Sequence, residues 1–237
     1  MRRAIRNWVS LYPSIYLPLV RHIRPEFVIG RDTELVIEGF PRSGNSFAEA
    51  ALRWSQPRAL RLAHHCHAAA QVIEAARKNV PCIVLVRDPA DAVASLLLAQ
   101  PSKFTPKSAL TEYKMFYEAI RPVRGRYVLA DFRAVTGDFG KVLAVTNEKY
   151  GTRFRTFTTD ESVTREIFTL LDETSVARET VAGKSEPYSP FRTSGETALR
   201  AAKKNEVKHA LLGSGIAELL GSCRDMYASL LEHADVR

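Results

Sequence analysis

Cysteine is scarce in this chain. Cys66, Cys82 and Cys223 are the three present, and their wide, irregular spacing supports neither a disulfide framework nor a zinc-ligand pattern. A reducing, cytoplasmic setting is the expectation. Long apolar runs are missing too: no stretch reaches the roughly 20 residues a membrane-spanning helix needs. There is no internal repeat and no low-complexity stretch, which sets aside solenoids and linker-like chains. Acidic charge is in deficit. The 26 Asp and Glu against 34 Lys and Arg leave +8 at pH 7 with His neutral. That balance favours anionic partners such as nucleotides, polyanions or an anionic membrane surface. Nucleic acid is not expected among them, because the aromatics do not interleave with the basic residues in a stripe suited to base stacking.

With 46% hydrophobic and 25% charged residues, the chain has the make-up of a folded globular protein. Its 237 residues suffice for one large α/β domain without disulfides. A single domain over 1–237 is expected, with an N-terminal helical segment (1–30), a core (33–150) and a mostly helical remainder (160–237). The opening residues, from Met1 to Pro13, are basic and aromatic. They lack the continuous apolar stretch and cleavage site of a secretory signal. Two readings stand for them: an amphipathic helix packed on the domain, or a membrane-surface helix with Arg2, Arg3 and Arg6 as its cationic face.

Short apolar runs alternate with helical patterns. Strands are expected at 33–39, 60–65, 82–86 and 126–132, with Cys82-Ile-Val-Leu-Val86 the clearest buried one. Helices are expected at 45–54, 68–78, 90–99, 108–120 and 138–150, the last stopped by Gly151. This alternation predicts a three-layer α/β fold of P-loop type, with a mainly parallel sheet and helices on both faces. In such sheets ligands bind beyond the carboxyl ends of the strands, where the two most informative motifs lie.

The first motif is Gly39-Phe-Pro-Arg-Ser-Gly44-Asn45-Ser46. It has the glycine spacing of a phosphate-binding P-loop, following a strand and opening a helix. Such a turn aims backbone N–H groups into a concavity, and the helix N-terminus adds partial positive charge. Asn45 stands where a nucleoside triphosphatase carries lysine, and the cation has moved to Arg42. No strand ends in an Asp clearly placed for magnesium, Asp131 being the nearest candidate. The loop therefore suits an anion but not the usual Mg–ATP arrangement. The second motif, Arg87-Asp-Pro, follows strand 82–86. Ser95 lies eight residues after Arg87, where both can converge on one anion. A plain strand–turn–helix and a plain Arg–Asp helix cap are the simpler alternatives. Two anion sites on neighbouring strand ends suggest a nucleotide phosphorylated at two distant positions.

Together these motifs resemble those of the sulfotransferases that use 3′-phosphoadenosine 5′-phosphosulfate. The resemblance covers roughly residues 33–150. It implies that Arg42, Ser43, Gly44, Asn45 and Ser46 hold the 5′-phosphosulfate, with Arg42 also stabilising the leaving phosphate, and that Arg87 and Ser95 hold the 3′-phosphate. Many soluble members place a catalytic histidine at the end of the strand between the motifs. Here that position reads His64-His65-Cys66-His67. On an extended chain His65 and His67 share one side; His65 is the expected general base, with His67 as second choice or part of the acceptor pocket. Asn45 replaces a common Thr, and Arg42 a common Lys. No Arg-Lys-Gly-x-x-Gly run appears, so Lys184, Arg192, Lys203 or Lys204 would complete the 3′-phosphate clamp. The implied reaction needs no metal, and its acceptor is a hydroxyl compound, carbohydrates included, held by segments near 98–120 and 180–200. A degenerate P-loop nucleotide kinase and a non-catalytic nucleotide-binding module are the rival readings.

Overall fold

The computed structural model describes residues 2–181, 197–213 and 215–237, with side chains placed over 5–173, 201–213 and 215–237. Lys184 and Arg192, and most of the expected acceptor segment 180–200, lie outside the described residues. Among these, four strands form one parallel sheet in the order β2 (Leu62–His64), β1 (Leu35–Gly39), β3 (Cys82–Val86), β4 (Val128–Asp131). Every residue of the four strands is buried, as expected where helices cover both faces of a parallel sheet.

Side chains alternate across the sheet and so feed two cores. Val36, Ala63, Cys82, Val84, Val86 and Leu129 face one core. It is closed by α2 (Pro13–Ile23), α4 (Ala69–Lys78), α5 (Pro89–Ala99), α6 (Pro106–Ile120) and α11 (Ala217–Glu232). Leu35, Ile37, Ile83, Leu85, Val128 and Ala130 face the other. It is closed by α3 (Asn45–Ser55), α7 (Phe132–Gly137), α8 (Phe139–Tyr150) and α9 (Glu161–Val181). The α/β class with helices on both faces is thus the observed architecture. The outer edge of β4 is covered by the final residues, where Val236 bridges Ala130 and the Asp131 amide donates to the Val236 carbonyl at 3.0 Å; an open strand edge is thereby removed.

The helix boundaries have local causes. Pro13 starts α2 and so separates it from α1 (Arg2–Val9). Asp88 caps α5 through the Asp91 amide, and Thr105 and Ser108 form a capping box on α6. The strand expected to run to Phe132 ends at Asp131, because that carboxylate accepts from the Arg133 amide and opens α7. Asp138 then caps α8 through the Lys141 amide. Strand β2 is shorter than the expected 60–65, since His65 and His67 both take left-handed backbone (φ 57° and 49°) and leave the ladder. Strand alternation therefore does not place His65 and His67, yet their rings remain neighbours, with centroids 5.7 Å apart.

Gly39 is where β1 approaches β3 most tightly. A Cβ there would lie 2.5 Å from the Leu85 carbonyl oxygen, so any side chain must push the two strands apart. Gly39→Ala is expected to lower stability by about 2 kcal/mol or more, read as a shift of the urea midpoint. An unchanged midpoint would mean that the strands part without cost.

Candidate functional site

Beyond the carboxyl ends of β1 and β3 lies a cleft of about 780 Å³, within the range of small-ligand sites, roughly 300–1,000 Å³. Both sequence motifs open into it. The loop after β1 contributes Pro41, Arg42, Gly44, Asn45 and Ser46, and the segment after β3 contributes Arg87 and Ser95. The two motifs also bond to each other. Arg42 Nε donates to Ser95 Oγ at 3.0 Å, and Arg87 Nη1 donates to the Arg42 carbonyl at 2.9 Å.

The loop backbone alternates in hand, with positive φ at Arg42 (71°) and Gly44 (97°). This is how short turns direct N–H groups into a concavity. Gly44 then acts as N-cap of α3, leaving the first amides of that helix without intrahelical acceptors. Asn45, in the lysine position of a P-loop, donates from Nδ2 to the Phe40 carbonyl at 3.1 Å and so ties the loop across its base. Ser43 differs from expectation. Its side chain is fully buried, does not line the cleft, and its amide closes a turn onto the Phe40 carbonyl at 3.2 Å.

Arg87 is aimed by its surroundings. Its guanidinium lies 3.8 Å from the centroid of the Phe132 ring, and its carbonyl accepts from Tyr113 Oη at 2.9 Å. Desolvation lowers its pKa, against the pull of Asp91, Asp88 and Asp131; an arginine stays charged regardless. Of the C-terminal cations suggested by the sequence, the structure brings Lys204 to the cleft, on α10 (Thr197–Ala210), while Lys203 is exposed. Lys204 Nζ sits 2.6 Å from Asp91 Oδ1, and Lys208 Nζ 3.2 Å. Desolvation would raise the Asp91 carboxyl, but the two ammoniums outweigh it and hold it low. Asp131 is not aimed at the cleft: Tyr227 Oη donates to Oδ1 at 2.8 Å while Oδ2 caps α7.

The histidines divide into distinct roles. His64 is buried at the end of β2. His65 lines the cleft, with Nε2 3.0 Å from Ser46 Oγ and Nδ1 2.5 Å from His64 Nδ1. At that separation one Nδ1 carries the proton that the other accepts. Glu49 Oε2 from α3 stands 3.4 Å from His64 Nδ1 and 3.5 Å from His65 Nδ1, while Oε1 accepts from Arg53 Nε at 3.0 Å. His67 is tethered by Nδ1 to the Gly39 carbonyl at 2.8 Å. Burial, then the charge of His65, pulls its pKa down to about 3. His67 lines the cleft as His65 does, but with its Nδ1 tethered and its basicity lowered it is less suited than His65 to accept a proton at neutral pH.

The Glu49, His64 and His65 ligand atoms lie within 4.8 Å of one another. One carboxylate oxygen and two imidazoles is a donor set that zinc accepts. Sequence reading saw only the histidine run. Glu49 comes from another element, three residues after Ser46, a spacing that puts both on one side of α3. That spacing was the available signal.

Glu38 was also missed. Fully buried in β1, it accepts from the amides of Cys66 (2.9 Å) and His67 (2.8 Å) and from Gln71 Nε2 (2.8 Å). It therefore holds the left-handed histidine turn against the end of β1. A lone acid in an apolar strand was the signal, because a buried charge demands partners.

No family model matches the chain, and no curated protein matches it. Among solved structures it is similar to a mouse sulfotransferase, SULT7A1, crystallised in complex with PAP. The two are 15% identical, over 83% of this chain and 91% of that one, with a TM-score of 0.42.

Burial raises the Glu38 carboxyl from 4.5 to about 8, against the pull of its N–H donors. Between those pH values the folded protein holds a proton that the unfolded chain releases. The residue's contribution is therefore full at low pH and declines as pH rises. Wild type is expected to lose stability relative to Glu38→Gln from about pH 4.5 to about pH 8, read from urea midpoints. Parallel pH curves would show that Glu38 does not titrate in this window.

Proposed function

We propose that the protein is a sulfotransferase that moves a sulfuryl group from 3′-phosphoadenosine 5′-phosphosulfate to an acceptor hydroxyl. The observation that carries this reading is the opening of the Arg42 loop and the Arg87–Ser95 pair into a single cleft, linked by the 3.0 Å bond from Arg42 to Ser95. One ligand with anionic groups at two ends can then meet both motifs. The loop amides, Ser46 and Arg42 would hold the 5′-phosphosulfate. Arg87, Ser95 and Lys204 would hold the 3′-phosphate, with Lys204 in the place of the C-terminal clamp.

The residues suit in-line attack of an acceptor oxygen on sulfur. As the new O–S bond forms, the bond from sulfur to the bridging oxygen of the 5′-phosphate breaks. That oxygen leaves with the electron pair. Arg42 and the first residues of α3 line the cleft, and their donors would stabilise that charge with little reorganisation. The acceptor proton passes to His65 Nε2, the nitrogen that faces Ser46. Glu49 acts as a positioning residue, its carboxylate favouring the imidazolium that forms. The acceptor half of the cleft is mixed. Leu98, Gln100, Phe104, Glu112, Met115 and Phe116 come from the 98–120 segment expected in the sequence, Arg6 from α1, and Ser10 and Leu11 from the turn after it.

Wild type is expected to bind adenosine 3′,5′-bisphosphate in calorimetry, and Arg87→Ala to weaken that binding by about 10- to 100-fold, the range for losing a charged hydrogen bond. His65→Ala should bind with wild-type affinity yet lose about 10²- to 10⁴-fold in turnover of labelled sulfate onto a panel of hydroxyl acceptors. Failure of wild type to bind the bisphosphate would sink the proposal. Wild-type turnover by His65→Ala would remove only the base assignment. Repeating turnover after chelation distinguishes the kinase reading, which needs magnesium, and tests whether the Glu49–His64–His65 group takes part through a bound metal.

A further inference from the structure

Large apolar side chains exposed to solvent are concentrated in one place. Among the described residues, seven qualify: Ile5, Trp8, Tyr12, Ile15, Leu19, Ile23 and Leu212. Six of the seven fall within α1, α2 and the turn between them. Their spacing is three or four residues throughout, the interval at which neighbours lie on one helical face. Trp8 and Tyr12 carry the face across the turn, their ring centroids 4.6 Å apart. All six are more than two-fifths exposed, from Tyr12 at 41% to Ile23 at 74%.

The opposite side of the same segment is well anchored. Tyr16 and Leu17 are buried, and Val20 packs on the core beside them. Tyr16 Oη reaches the Cys66 carbonyl at 3.3 Å, and the Ala70 amide donates to the Ser10 carbonyl at 2.9 Å. The exposed stripe is therefore held outward by a fixed inner face. An apolar stripe of this extent on a protein surface marks a docking site.

Charge selects the occupant. Arginines stand at positions 2, 3, 6, 21 and 24, and no Asp or Glu occurs before Glu26. A short amphipathic segment that combines Trp, Tyr, Ile and Leu on one face with arginines beside it is suited to lie in the headgroup region of an anionic bilayer. The helices have 8 and 11 residues, too short to cross, so they would rest on the surface. A second copy of the chain is disfavoured, since a two-fold contact through this face would oppose two arginine-rich segments.

We propose that the face formed by Ile5, Trp8, Tyr12, Ile15, Leu19 and Ile23 docks the protein on an anionic membrane surface. Arg6, Asn7, Ser10, Leu11 and Arg24 from this segment also line the cleft, so docking would bring the cleft close to the bilayer. The proposal is independent of the sulfuryl-transfer reading, because it needs neither nucleotide nor turnover.

Vesicle flotation tests it. Wild type should float with vesicles of equal parts phosphatidylcholine and phosphatidylglycerol, release at high salt, and stay behind with pure phosphatidylcholine. Trp8→Glu, and separately Leu19→Glu with Ile23→Glu, should reduce the floated fraction on the order of tenfold or more. These side chains are exposed, so unfolding midpoints should match wild type. Should a variant unfold early, Leu19→Ser with Ile23→Ser replaces it. Three results would each overturn the proposal: no flotation of wild type with anionic vesicles, equal flotation of the charged variants, or equal flotation with neutral vesicles. A wild-type dimer in sedimentation velocity that the same substitutions split, with no vesicle binding, would assign the face to a second copy.

Discussion

The register between β1 and β3 sets the geometry of the site. Gly39 lies opposite Leu85, and nothing larger than hydrogen fits between them. This close pairing makes the two strands end together. The loop after β1 and the loop after β3 then emerge side by side, and Arg87 can reach the Arg42 carbonyl. Tyr117 reinforces the junction, since its hydroxyl donates to the Leu85 carbonyl at 2.7 Å and accepts from the Phe40 amide at 3.4 Å. A buried phenol bonded to both strand ends resists their sliding, because a slip would leave polar groups unmet inside the core.

A second constraint acts at the other side of β1. The turn from His64 to His67 has left-handed backbone at two non-glycine residues, which costs energy wherever it is not over-determined by its surroundings. Glu38 over-determines it, with one oxygen shared by the Cys66 amide and Gln71 and the other taken by the His67 amide. The consequence is local and chemical. His67 is pinned to Gly39, His64 is buried, and His65 is left facing Ser46 and the cleft. His65 and His67 both line the cleft, and His65 also meets Ser46.

The cationic character of the chain is distributed unevenly. Arg42, Arg87 and Lys204 gather at one cleft, where Asp91 orders the lysine pair on α10. The N-terminal segment that carries the exposed apolar stripe adds exposed Arg6, Arg21 and Arg24. These two regions meet at Arg6 and Arg24, which belong to the N-terminal segment yet line the cleft. The net charge therefore describes two surfaces with different chemistry, and only one is concave.

Much of this was legible in the residues. Strand–helix alternation and the all-apolar runs at 35–37 and 82–86 determined the α/β class, since a strand without polar positions must be covered on both faces. Gly39 and Gly44 marked the loop, spacing singled out Arg42, Arg87 and Ser95, and the resemblance to sulfotransferases added Asn45 and Ser46 as ligand-holding residues. What sequence could not supply were contacts between distant segments. Glu49 meets the histidines, Lys204 meets Asp91, and Glu38 grips the 65–67 turn only after folding, as those partners lie on separate elements. Periodicity put His65 and His67 on one side, and both do line the cleft, but they reach it through left-handed backbone held by Glu38 rather than through an extended strand. The sequence by itself determined which groups were available at the strand tips. Tertiary packing decided which of them face one another, for side-chain direction depends on backbone handedness and long-range hydrogen bonds that no local pattern encodes.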